Sequence, residues 1–194
     1  MVTKIHNHMP TFISLIRGIN VGGHKRVPMD QLRALCETLG FTQVRTYIQS
    51  GNVVFSAGKI TSAAVSKKIE EAIVAEFGFP ASVISRTPEE LATAIGANPF
   101  LKESQAEPGK VYIAFLSQSP KPDAARKLEI WATRDERLHC GRLEVYLYYR
   151  NGMGQAKLSG AVLEKVLGVT ATARNWNTVN QLHRMAAEGV ARSS

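Results

Sequence analysis

The sequence predicts an α+β protein made of two tandem βαββαβ units, and three observations carry that prediction. Short β-branched and aromatic runs alternate with stretches of helical periodicity, and glycines and prolines punctuate the joints. The run TFISLI at residues 11–16 also stands at the same place in the order as VYIAFL at residues 111–116, which suggests a duplication. With 194 residues and 44% hydrophobic content, the chain carries enough apolar material for one large core or two small ones.

Residues 1–10 are polar, lack the apolar centre of a secretory signal, and read as a loose leader. The first unit is expected over residues 11–86. Its opening strand, 11–17, stops at Gly18. A helix then starts at Pro28, carries Leu32, Leu35, Cys36 and Leu39 on one face, and ends at Gly40, where a left-handed cap is cheap. Strands at 44–48 and 52–55 flank Gln49-Ser50-Gly51, a small polar reversal that predicts a hairpin. Val65, Ile69, Ile73 and Phe77 at helical spacing give the second helix, and 81–85 reads as the fourth strand.

Residues 87–109 are expected to link the units. Within them Thr87-Pro88-Glu89-Glu90 is a helix start in which Thr87 and Glu90 form a capping box, and the polar run 102–109 has a linker's composition. The second unit, 110–174, repeats the pattern: strand 111–116, helix 123–132, a hairpin of 137–140 and 143–149, helix 158–167, and strand 169–173. Residues 175–194 form a last helix and tail, with Asn175 as its N-cap and Val179, Leu182 and Met185 on one stripe. The βαββαβ order is that of the ferredoxin-like fold, or alpha-beta plait. Its strand order, 4-1-3-2, makes strands one and two parallel, so the loop after the first and the hairpin after the second emerge at one end of the sheet.

That loop, residues 17–26, combines Gly18, Gly22 and Gly23 with Arg17, Lys25 and Arg26 just ahead of a helix. Glycines let backbone N–H groups reach a phosphate, and a helix start adds partial positive charge. Arg17 and Lys25 would supply full charges, with Asn20, Gly22 and Gly23 beside them, and the hairpin tip would add Gln49, Ser50 and Asn52. The plainer alternative is that the glycines only permit a tight loop and the charges face water. A P-loop is excluded: Gly18 and Gly23 have the right spacing, but Lys25 falls one residue late and no Ser or Thr follows it. The formal net charge of +8 fits an anionic partner and equally fits a solvated basic surface. A second cluster of the same kind is expected where Arg174, Asn175, Trp176 and Asn177 start the last helix, near Arg150, Asn151 and Lys157. There Trp176 would be available for stacking, unless Asn175 simply caps the helix and Trp176 packs inward.

RGINVGG at 17–23, YIQSGNVVF at 47–55 and ARNWNT at 173–178 together resemble domain-of-unknown-function family 1697, a bacterial family, over nearly the whole chain from Met9 to about Glu188. The resemblance implies the alpha-beta plait architecture and carries over no catalytic residue and no activity.

The leading functional expectation is therefore a binding site, with turnover left open, for a phosphate-bearing or otherwise anionic small molecule at the Gly-rich basic loops. A competing reading is single-stranded RNA or DNA binding, with Tyr112, Tyr146 and Tyr148 sharing one sheet face as a stacking platform. No RNP1 pattern accompanies them. A third is a structural or protein-interaction module. Cys36 and Cys140 lie far apart, each without a CxxC partner, which fits a reducing cytoplasm. His139 and Cys140 point to opposite faces of a strand, and Ser50 lies outside any nucleophile elbow, so neither supplies a nucleophile. No metal site is expected, His6 and His8 having no further ligands nearby in sequence. No cofactor is expected, and no membrane partner, since no apolar run is long enough to span a bilayer.

Overall fold

The computed structural model describes residues 9–23 and 25–191; His6 and His8 of the leader and His24 of the loop lie outside them. The elements run β1 (Thr11–Ile16), α1 (Met29–Thr38), β2 (Thr42–Tyr47), β3 (Asn52–Ser56), α2 (Ser62–Phe77) and β4 (Val83–Arg86). After α3 (Pro88–Gly96) and α4 (Leu101–Ala106), the order repeats as β5 (Val111–Leu116), α5 (Pro122–Glu129), β6 (Glu136–Cys140), β7 (Glu144–Tyr149), α6 (Gly160–Leu167) and β8 (Ala171–Asn175). The last helix is α7 (Trp176–Ala191). Among the described residues these make an α+β protein with two four-stranded antiparallel sheets. The chain divides into two compact units, one running to Leu91 and resuming at Leu182, the other Ala92–Gln181.

Local chemistry accounts for the helix starts. Thr61 Oγ1 accepts the Ala64 N–H at 3.2 Å and so caps α2. The Thr87 N–H donates to Glu90 Oε2 at 2.9 Å while the Glu90 N–H donates to Thr87 Oγ1 at 3.3 Å, which is the reciprocal pair of a capping box. Asn175 Oδ1 accepts the Thr178 N–H at 2.9 Å and caps α7. The polar run 102–109 departs from the expectation of a plain linker. It contains most of α4, which forms because Phe100 is buried ahead of it and the Phe100 carbonyl accepts the Ser104 N–H at 2.8 Å.

The first sheet has the order β2-β3-β1-β4, so β1 is antiparallel to both neighbours. Phe12, Ile16, Val53 and Phe55 project from it onto Leu32 and Cys36 of α1 and Val65, Ile69 and Ile73 of α2. Phe55 lies under Phe41, with ring centroids 4.3 Å apart, and beside Phe12 at 6.1 Å. The second sheet, β6-β7-β5-β8, packs Ala114, Leu116, Val145, Leu147 and Tyr149 against Leu128 of α5 and Leu163 and Leu167 of α6. The opposite faces are also closed to solvent, since Ile13, Leu15, Val54 and Ile84 in one sheet and Ile113, Phe115 and Tyr146 in the other are buried. That is why β1 and β5 read as nearly continuous apolar runs rather than alternating ones. The two ladders match in detail: Ile13 pairs with Arg86, Ile113 pairs with Arg174, and a capping residue follows each arginine.

Candidate functional site

Two backbone bonds fix where the Gly-rich loop leaves the first sheet. The Ile16 N–H donates to the Gly51 carbonyl at 2.8 Å and the Arg17 N–H to the Ser82 carbonyl at 2.8 Å, so the loop departs between the β2–β3 hairpin tip and the segment before β4. Loop and hairpin do share one sheet end. Asn20 ties them together: its Nδ2 donates to the Val27 carbonyl at 2.9 Å and the Gln49 carbonyl at 2.8 Å, while its Oδ1 accepts the Val27 N–H at 2.8 Å. Its backbone sits at φ 57°, a left-handed conformation that asparagine tolerates better than most residues. Asn52 is fully buried and donates from Nδ2 to the Tyr47 carbonyl at 2.9 Å and to Ser50 Oγ at 3.0 Å. The amides of Asn20 and Asn52 thus brace the two loops.

Two clefts flank the braced loop, and the expected site residues divide between them. The first, of about 610 Å³, is lined by Arg17 and Lys25 together with Pro80, Ala81 and Ser82 and the Glu70, Glu71 and Val74 stripe of α2. Lys25 is oriented there by a hydrogen bond from Nζ to the Pro80 carbonyl at 2.8 Å, with the Phe79 ring centroid 5.8 Å away. Glu70 is held by the Val83 N–H, which donates to its Oε1 at 2.7 Å. The second cleft, of about 760 Å³, is lined by Asn20, Gly23, Arg26 and Gln49 and by the start of α1, including Asp30. That helix start has no side-chain cap. Gly22 is exposed on the loop between. Glu70 and Glu71 are not among the residues expected from the sequence, because they come from the flank of a helix and not from the loops. Their signal was the i, i+1, i+4 spacing of Glu70, Glu71 and Val74 beside a buried Val65-Ile69-Ile73 stripe.

In the second expected cluster one of the cations is withdrawn from solvent. Arg174 is buried, donating from Nη1 to Thr172 Oγ1 at 2.8 Å and the Ala173 carbonyl at 2.9 Å, and burial pulls its guanidinium down to about 10. Arg150, 3.9 Å from Asp135, and Lys157 are both exposed, and the backbone N–H of Lys157 donates to Glu136 Oε1 at 2.9 Å. Asn175 is committed as the α7 cap, Trp176 is half-buried, and Asn177 is exposed.

The three tyrosines do not share a face, which corrects the platform expected for nucleic acid. In the antiparallel register Tyr112 pairs with Leu147, whereas Ile113 pairs with Tyr146 and Val111 with Tyr148. Directly paired residues lie on the same side of a sheet, so Tyr112 belongs with Leu147 and Tyr149, its ring centroid 5.6 Å from that of Tyr149. Alternation fixes which residues of one strand share a face, but the phase between strands depends on a register that one strand alone does not carry. Tyr146 and Tyr148 are buried as well. The Tyr146 hydroxyl donates to the Ala94 carbonyl at 2.9 Å, and the Arg137 guanidinium carbon stands 4.8 Å from the Tyr148 ring centroid.

Burial pushes the Tyr146 phenol up from 10.0 to about 12, with the Glu144 carboxylate adding to the effect. The unfolded chain therefore loses this proton first. The contribution is fully present below pH 10 and is lost as pH rises toward 12, at about 1.4 kcal/mol per pH unit. Urea midpoints between pH 8 and 12 should fall more steeply for the native chain than for Tyr146→Phe, which is expected to start lower for want of the Ala94 hydrogen bond. Arg174 and Cys36 are common to both chains and cancel in the difference. Parallel slopes would contradict the assignment.

Cys36 and Cys140 are both free, and burial pushes the Cys36 thiol up to about 12, which keeps it unreactive. Among the described residues no group of three or more His, Cys, Asp or Glu is placed to hold a metal ion, and no helix is long and apolar enough to cross a membrane.

Comparison with known proteins adds a family and a fold. The sequence model of a family described as "Protein of unknown function (DUF1697)" matches residues 9–146. Among solved structures, the conserved bacterial protein SP0830 from Streptococcus pneumoniae is similar, with a TM-score of 0.71 at 22% identity, over 92% of this chain and 99% of that one. No curated protein matches this chain.

Proposed function

The chain belongs to the family of proteins of unknown function DUF1697, and we propose that it binds a phosphate-bearing or otherwise anionic small molecule in the cleft that Arg17 and Lys25 line. The observation that carries this reading is the convergence of those two cations, separated in sequence by a glycine-rich turn, on one cleft of about 610 Å³. That volume suits a small metabolite. Lys25 uses one donor on the Pro80 carbonyl, and an ammonium has three, so its position is set while donors remain for a ligand. We further read each unit as ferredoxin-like. The support is the βαββαβ order in both halves and the matching strand orders β2-β3-β1-β4 and β6-β7-β5-β8. Two free cysteines support a reducing compartment such as the cytoplasm.

The test is calorimetric titration of the native chain, Arg17→Ala and Lys25→Ala with inorganic phosphate and simple phosphate monoesters. A hydrogen bond to a charged group contributes roughly 1.5–3 kcal/mol, so each substitution is expected to weaken binding by roughly ten- to a hundredfold. Affinity that is the same in all three chains would sink the proposal. The nucleic-acid reading has lost its stacking platform to the register of β5 and β7, and nothing at the cleft favours it.

A further inference from the structure

Resting on the proposal that Arg17 and Lys25 hold an anionic group, we infer that the ligand of this cleft is zwitterionic, carrying an amino group that faces Glu71 and Glu70 of α2. The cleft is not a uniformly basic one. It sets two cations, from the end of β1 and the Gly-rich loop, beside two carboxylates on one helical flank, with Val74 and Pro80 as apolar wall between. The formal charges of these four side chains cancel. A cleft selected only for anions gains nothing from two carboxylates in its wall, because like charge opposes binding.

Both carboxylates are placed to meet a cation. Glu70 is held by its Oε1 bond from the Val83 N–H at 2.7 Å, and a carboxylate accepts further bonds at its other lone pairs. Glu71 lies 3.7 Å from Lys67, in a pair whose side chains are 66% and 77% exposed, a contact that solvent screens and a ligand ammonium can replace. Lys25, for its part, forms no ion pair among the described residues; its Nζ is directed by the Pro80 carbonyl and the Phe79 ring. Lys25, Glu70 and Glu71 are thus each held by a partner other than one another. A small aminoalkyl phosphate or an amino acid presents the complementary arrangement. A polyphosphate or a nucleic-acid strand presents only the anionic half and would meet the α2 carboxylates unpaired.

The experiment compares molecules that differ only in the amine: ethyl with aminoethyl phosphate, propyl with aminopropyl phosphate, and butyrate with γ-aminobutyrate. Each is titrated into the ¹⁵N-labelled full chain and followed by NMR shifts, with Glu71→Gln as the variant. In at least one pair the amine-bearing member should bind tenfold or more tightly than its partner, and Glu71→Gln should reduce that ratio to about one while leaving the affinity for the amine-free member intact or higher. Glu71 is exposed, so the substitution spares the fold. Anions that bind with no preference for the amine in any pair would overturn the zwitterion inference and leave the anion site standing. Absence of binding by all six would overturn both.

Discussion

Phe55→Ala is expected to lower the unfolding free energy by about 4 kcal/mol, within the ~3–5 kcal/mol span of Phe→Ala changes in packed cores. Phe55 is 1% exposed and lies between Phe12 and Phe41 on β3, a central strand of its sheet. Removing the ring strips both neighbours of their stacking partner and leaves a void bounded by helix residues that are themselves packed, so the site has little freedom to collapse. Urea denaturation followed by far-UV circular dichroism measures the loss. Phe55→Leu should recover more than half of it, since the leucine refills most of the volume. A loss under about 1.5 kcal/mol for the alanine would mean that the neighbours close the void, contrary to the close packing described.

Gly51→Ala should cost about 3 kcal/mol through two separable causes. The residue sits at φ +76°, where a side chain strains the backbone by roughly 1–2 kcal/mol. A Cβ there would also stand 2.8 Å from Ile19 Cδ1 and 3.0 Å from Ile16 Cβ, and overpacking of this kind costs roughly 1–3 kcal/mol. Gly40 supplies the comparison, with φ +80° and no atom within 4 Å of a built Cβ. Gly40→Ala should therefore show the backbone cost alone. Equal losses in the two variants would mean that Ile19 swings aside without cost. Because Ile19 precedes Asn20, a shift there would disturb the brace between loop and hairpin. Gly51→Ala is accordingly expected to weaken ligand binding at the Arg17 cleft as well as stability, whereas Gly40→Ala should leave binding unchanged.

Much of the architecture was legible because it rests on local chemistry. The Thr87–Glu90 capping box and the Asn175 cap are written in three or four consecutive residues, and both form as read. The shared sheet end of the Gly-rich loop and the hairpin followed from strand order and is realised in the Asn20–Gln49 hydrogen bond. What escaped depends on groups distant in sequence. Asn20 and Asn52 read equally well as ligand contacts or as braces until their partners are seen; the amide chemistry is the same in either role. The division of the expected site into two clefts depends on which way the loop leaves β1, which its glycines leave open. The tyrosine platform failed because inter-strand phase is a tertiary quantity. Arg174 looked like a surface cation since a charged residue beside a helix start usually is one, and only the burial of its strand reverses that.

The positions of the two tryptophans bear on how any ligand would be noticed. Trp131 follows α5 and Trp176 opens α7, so both of the chain's indoles belong to the unit Ala92–Gln181, while every residue lining the Arg17 cleft belongs to the other. Tryptophan emission is in effect a one-sided reporter: its sources stand in one half, and neither is among the residues that line the cleft. Val74→Trp, on a half-exposed helical position in the cleft wall, would place an emitter where a compound seated against Lys25 must lie.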